Sequence, residues 1–230
     1  MEIQPGVPEV VHHVLVFIGG ENVDLENTAG FLAAYVPGNR HQINPEGFAK
    51  WLPPGAELYF QMHYTPNGTA TEDLSYVGFR FADSQNVRRL LRGRIAINQE
   101  FVIPAGAASH QVTAEYVSQE DEELLSMTPH MHLRGKAFRY DVRFPDGSEQ
   151  TLLNVPNYDF NWQLKYVLES PLFLPKGTRI LCTAVFDNSK YNLTNPDPTR
   201  PVGWGDQSFE EMMIGFMDTV PVASERPSVE

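Results

Sequence analysis

The sequence contains one cysteine, Cys182, in 230 residues. No disulfide can form within the chain, and no zinc site can be built from thiolates, so a bound metal must be held by His, Met or carboxylates. Basic charge is also scarce. The 17 Lys and Arg are outnumbered by 29 Asp and Glu, giving a net charge of -12. Such a chain repels phosphate backbones, which argues against a nucleic-acid partner. Long apolar runs are missing: the stretch 10–18 is interrupted by two histidines and is too short to cross a membrane, so no membrane partner is expected. Met1 to Pro8 shows no basic segment followed by an apolar one, the pattern of a secretory leader. The chain opens almost directly into a strand-like run. The expectation is therefore a piece of a longer protein, with other domains as possible partners and a first strand or two missing. Helical periodicity is nearly absent, and only 84–92 fits a short helical turn.

What is present is the vocabulary of an all-β protein. Gly (17) and Pro (18) are abundant, and 42% of residues are hydrophobic, which suits a globular chain that turns often. Strand-like runs cover 10–18, 57–64, 76–81, 111–117, 137–144, 179–186 and 212–217. Turn formers separate them: Pro37-Gly38-Asn39, Pro66-Asn67-Gly68, Pro145-Asp146-Gly147, Asp187-Asn188 and Asn195-Pro196-Asp197-Pro198. A short echo recurs in Leu52-Pro53-Pro54-Gly55, Ile103-Pro104-Ala105-Gly106 and Leu174-Pro175-Lys176-Gly177, each leading into a strand. Two similar sandwiches would produce it, and so would a plain habit of Pro-Gly turns. The basic stretch 88–94 separates two halves. The expected organisation is an N-terminal β-sandwich over 1–95, a C-terminal β-sandwich over 96–222 and a flexible tail over 223–230.

Five of the seven histidines fall into three groups: His12-His13, His63, and His130-x-His132. Strand side chains alternate between faces. On that pattern Thr128, His130, His132 and Arg134 share a polar face, opposite Met127, Pro129, Met131 and Leu133. Two imidazoles at i and i+2 on one face form a two-pronged clamp, although the same spacing arises by chance on a solvent-facing strand. His63 likewise shares its face with Tyr59, Gln61 and Thr65 rather than with Leu58, Phe60 and Met62, which disfavours a core-filling role; a surface histidine is the plain alternative. His12 and His13 sit inside the apolar run Val10-Val11-His12-His13-Val14-Leu15-Val16-Phe17, where two buried imidazoles need partners. Adjacent strand residues point opposite ways, so joint ligation by His12 and His13 requires a twist or bulge, and a backbone carbonyl could satisfy one ring instead. His41 and His110 have no partner by spacing and read as surface residues.

Neutral imidazoles suit Zn, Fe or Cu, and thioether sulfur favours Cu(I). Met212, Met213 and Met217 cluster near the end of the chain, and composition does not choose among them. A strand methionine is more often core packing than a ligand.

The ordered set VVHHVLVF, LYFQMHYTPNG, TPHMHLRGK and WGDQSFEEMM resembles the catalytic core of the copper type II, ascorbate-dependent monooxygenases, the family of peptidylglycine α-hydroxylating monooxygenase and dopamine β-monooxygenase, and especially its bacterial members. The likeness runs from about Glu2 to about Val220. It implies two antiparallel, jelly-roll-like β-sandwiches side by side, and an oxidoreductase that hydroxylates a C–H bond of a small-molecule substrate with dioxygen and a one-electron donor such as ascorbate. It further implies two copper ions: an electron-transfer copper on His12, His13 and His63, and an oxygen-activating copper on His130, His132 and Met212. Met212 is singled out because it follows Glu in the family's Ser-x-x-Glu-Met pattern, here Ser208-Phe209-Glu210-Glu211-Met212. Asp206 and Gln207 are candidates to orient the ligands, by proximity. The family also implies an extracytoplasmic setting, periplasmic or secreted.

The sequence departs from the peptide-amidating members where they carry an Arg, an Asn and a Tyr that hold a peptide carboxylate. Thr128, Ile214 and Phe216 stand at those positions and cannot make a charged clamp. Peptides ending in glycine are therefore not expected as substrates. Two other readings compete. One is a non-catalytic copper- or ligand-binding β-sandwich module, since fold does not fix function. The other is a cupin-like mononuclear Fe or Zn enzyme on His130 and His132, which normally adds a Glu a few residues on; Leu133-Arg134-Gly135-Lys136 supplies none.

Overall fold

A computed structural model describes residues 1–19, 30–36 and 41–222. The turn expected at Pro37-Gly38-Asn39 and the tail expected over 223–230 lie outside the described residues. Among those described there is no helix; the chain forms sixteen strands and is all-β. No helix long and apolar enough to cross a membrane occurs among them. The chain divides into two compact units, passing from one to the other between Gly93 and Arg94.

The N-terminal unit contains β1 (Glu2–Gln4), β2 (Val11–Gly19), β3 (Phe31–Tyr35), β4 (Phe48–Lys50), β5 (Glu57–Tyr64) and β6 (Tyr76–Gly78). β2 is the middle strand of an antiparallel β3-β2-β5 sheet, and β1 pairs with β6. Val11, Val14, Val16, Leu32, Ala33 and Ile3 form the buried core, explaining why β2 reads as a nearly continuous apolar run. β7 (Arg89–Ile97) carries the chain across the division, and its first residues pair in parallel with β4. The helical turn expected over 84–92 is absent. The Asp83 carboxylate instead accepts from the Gln85 amide and its carbonyl from the Asn86 amide, making a tight turn after which β7 begins.

The C-terminal unit adds β8 (Val102–Ile103), β9 (His110–Val117), β10 (Glu122–His130), β11 (Gly135–Arg143), β12 (Glu149–Val155), β13 (Tyr166–Leu174), β14 (Arg179–Phe186), β15 (Val202–Gly203) and β16 (Ile214–Pro221). It is a β-sandwich. One sheet runs β13-β10-β16-β7, the other β12-β11-β14-β9. Period-two alternation builds the core between them. Ile180, Cys182, Ala184 and Phe186 on β14 and Phe138, Tyr140 and Val142 on β11 meet Leu124, Met127, Met213 and Met217 from the facing sheet. The lone Cys182 is one of these core residues, and burial pushes its thiol well above the ordinary range.

The sequence echo is a recurring turn. Ala56, Ala107 and Thr178 each donate an amide to the carbonyl three residues earlier, at Pro53, Pro104 and Pro175, and Gly55, Gly106 and Gly177 supply a positive φ of 71–87° at the third position. The strand expected over 76–81 is shorter, Tyr76–Gly78. The strand expected over 212–217 begins two residues later, at Ile214, because Glu211 is taken up by a bridge to Trp204 and by backbone bonds to Gly203 and Gly205.

Candidate metal centres

His130 is the last residue of β10, and His132 lies just beyond it, where the Gly135 amide donates to the His132 carbonyl and closes a turn. The expected exposed polar face is therefore not what forms. His130 is 9% exposed, and His132 and Arg134 are 1% and 2% exposed. The cause is the segment before β13, which brings the buried Phe160 and Gln163 against the two rings. On the other side of the strand Met127 and Met131 do enter the core.

The two imidazoles stand 5.3 Å apart between centroids, nearly perpendicular at 87°. Their Nδ1 atoms are engaged. His130 Nδ1 lies 2.7 Å from Gln163 Oε1, and the Gln163 amide nitrogen donates to the Phe160 carbonyl, which fixes the oxygen towards the ring. His132 Nδ1 lies 3.3 Å from the Glu210 carbonyl. Both partners are acceptors, so both Nδ1 atoms carry the proton and both Nε2 atoms keep a lone pair, which is the tautomer a metal ligand needs.

The backbone between and after the rings is held as firmly. The Tyr158 hydroxyl accepts from the Met131 amide at 3.0 Å and donates to the Met131 carbonyl at 2.7 Å. The Glu211 carboxylate, 0% exposed, accepts from the His132 amide at 2.9 Å and the Arg134 amide at 2.6 Å. Arg134 lies 4.0 Å from the same carboxylate and also donates to Asn188 Oδ1 and the Phe209 carbonyl. Burial pushes the Glu211 carboxyl up to about 8, against the lowering effect of the two amides and the Arg134 charge.

Met212 follows directly, so the Glu211 clasp ties the methionine segment to the His132 segment. Of the three candidate methionines, Met213 and Met217 belong to the core, whereas Met212 is only half-buried and outside it. Asp206 and Gln207, the expected orienting groups, are exposed. The residues that touch the rings are Gln163 and Glu210, through a side-chain amide and a main-chain carbonyl. Neither was marked by spacing: Gln163 is 33 residues from His130 and Glu210 is 78 from His132.

In the N-terminal unit, β2 and β5 pair His13 with His63, and the register shifts between Val11 and His13. His12 is the extra residue of that bulge, which lets neighbouring histidines turn to one another. Their Nδ1 atoms are 3.0 Å apart. Two nitrogens on one tetrahedral ion at ordinary bond lengths are separated by about 3.3 Å, so this pair fits a shared ion. His63 does not complete the set in this arrangement. Its ring stacks on His13, with centroids 4.1 Å apart and planes 30° apart, and near-parallel rings aim their lone pairs past one another. Among the described residues no group of three or more His, Cys, Asp and Glu side chains is placed to hold a metal ion. His41 is exposed and 3.9 Å from Glu2, and His110 is half-buried at the start of β9.

No protein-family model matches the chain. No curated protein matches it. Among solved structures, it is similar to the VP2 subviral particle of infectious bursal disease virus, at 9% identity and a TM-score of 0.32, over 98% of this chain and 56% of that one. Structures of the Gt and Gx strains of the same virus give TM-scores of 0.30 and 0.32 at 9% identity, over 98% and 97% of this chain and 56% and 55% of theirs. The chain thus spans about half the length of the structures it matches. Overlap this loose assigns neither a fold family nor an activity.

Proposed function

We propose that the chain is a copper-dependent monooxygenase that hydroxylates a C–H bond of a small molecule, with ascorbate or an equivalent one-electron donor. The observation that carries this reading is the His130–His132 pair, two buried rings held by Gln163 and the Glu210 carbonyl with both Nε2 lone pairs unprotonated. His130, His132 and Met212 would hold one copper, and a half-buried thioether beside two imidazoles is a donor set suited to Cu(I). Copper bound there supplies dioxygen activation, so that one oxygen atom enters the C–H bond and the other leaves as water with two electrons and two protons from the donor. The chain's own part is to fix both ring tautomers, keep the rings dry and hold the His132 turn against the Met212 segment. His12, His13 and His63 would hold the second copper once His63 rotates off the face of His13. Family resemblance further suggests an extracytoplasmic setting and a longer parent chain.

The stacking of His13 on His63 favours a second reading, a non-catalytic copper- or ligand-binding module with one competent site. A cupin-like iron or zinc site is disfavoured, because both oxygens of Glu211, the carboxylate that meets the His132 turn, are taken by main-chain amides. Copper titration separates the readings. Wild type binds two equivalents, and Met212→Ala and His63→Ala each fall towards one, with ascorbate-driven oxygen uptake lost in both. One equivalent in wild type and no uptake above that of a His132→Ala variant would leave the binding module.

A further inference from the structure

The surroundings of the His130 ring indicate which class of molecule it faces. β10 and β16 pair Thr128 with Phe216 and His130 with Ile214. These three neighbours are on one side of the sheet, and the Phe216 ring lies 6.2 Å from the His130 ring. Phe160 stands edge-on to His132 at 5.8 Å. Each imidazole is thus flanked by an aromatic ring. Two basic side chains on the neighbouring segments are already engaged. Lys165 is paired with Asp218, which also accepts from the Ser126 hydroxyl, and Arg134 is buried on Asn188 and the Phe209 carbonyl. A carboxylate entering beside His130 would lose its water and gain apolar walls, an unfavourable exchange.

We infer that this site takes an uncharged, apolar substrate, with Phe216 and Thr128 as its specificity-determining residues. Phe216 offers a ring face beside His130, and Thr128 leaves room across the strand where a longer side chain would intrude. The inference rests on the proposed oxygenase reading for the position of the reacting bond, but the preference for an uncharged ligand is a property of the walls. It holds whether or not turnover occurs.

The test uses two probes that share a skeleton, ethylbenzene and 3-phenylpropanoate, which differ by a carboxylate. Calorimetric titration of the copper-loaded chain is expected to show ethylbenzene binding at least tenfold more tightly. Phe216→Ala should weaken ethylbenzene binding about tenfold and leave copper stoichiometry unchanged. Thr128→Arg should bring 3-phenylpropanoate to parity or better. Equal binding of the two probes by wild type, preference for the carboxylate, or binding of neither overturns the inference. If ethylbenzene binds as expected but ascorbate-driven oxygen uptake is absent, the oxygenase reading fails while the specificity stands. If uptake is stimulated equally by both probes, the oxygenase reading stands and the specificity fails.

Discussion

The two histidine groups of this chain are organised by opposite means. In the C-terminal unit, His130 and His132 are buried, each Nδ1 is hydrogen-bonded, and the backbone that carries them is fastened by Tyr158 and Glu211. In the N-terminal unit, a single extra residue in β2 turns His12 towards His13, and His63 is only half-buried and lies stacked on its neighbour. The first arrangement is set before any ligand arrives. The second requires a ring to turn. Pre-set geometry spares the ordering cost at the moment of binding, so the C-terminal site is expected to be the tighter and more selective of the two.

The sharpest way to break this comparison is to remove the clasp. Glu211→Ala strips the carboxylate from two buried amides and from Arg134, and should cost about 3–5 kcal/mol of stability in the C-terminal unit by urea unfolding. Copper binding at the C-terminal site should fail with it while the N-terminal equivalent persists. A loss within the error of the measurement would mean that the His132 turn does not depend on Glu211.

A control far from the rings asks whether any buried carboxylate gives the same result. Glu122 is fully buried and accepts from Tyr116, Ser118, Thr219 and Arg94. Burial pushes its carboxyl up, but the three hydroxyls and the Arg94 charge outweigh that and hold it below the ordinary glutamate value. A depressed carboxyl stabilises the fold above its unfolded pKa and loses that contribution as pH falls through the folded value. Glu122→Gln should therefore cost about 2 kcal/mol at neutral pH, with the gap to wild type narrowing below about pH 4.5 and copper stoichiometry unchanged. A gap independent of pH would contradict the assignment.

Gln163→Ala sharpens the comparison further. It removes the acceptor on His130 Nδ1 and should weaken copper at the C-terminal site about tenfold, without effect on the N-terminal one. The smallest effect is expected for His63→Ala. A half-buried ring on a strand contributes little to folding, so stability should change by less than about 1 kcal/mol while one copper equivalent is lost. A large loss of stability would make His63 a packing residue.

Local patterns in the sequence were enough for the class of fold and for the strands with strong alternation. β5 and β14 match the expected 57–64 and 179–186 residue for residue, because turn formers bound them and their periodicity is clean. Strands such as β3, β12 and β13 escaped notice, since their pairing is made with partners distant in the chain. The bulge at His12-His13 was legible as a requirement, because adjacent histidines cannot otherwise meet. The burial of His130 and His132 was not. Alternation places side chains on a face but does not reveal what covers that face, and Phe160 and Gln163 come from a segment about thirty residues on. Glu211 stood inside a recognised motif, yet its carboxylate-to-amide clasp spans 79 residues and left no local trace.

The central claim is that His130, His132 and Met212 form one soft metal site. X-ray absorption on the Cu(I)-loaded chain tests it most directly. A sulfur neighbour of copper in the wild type that disappears in Met212→Ala, with both nitrogen neighbours retained, is the predicted result. A wild-type spectrum with nitrogen and oxygen neighbours alone, indistinguishable from that of Met212→Ala, would contradict it.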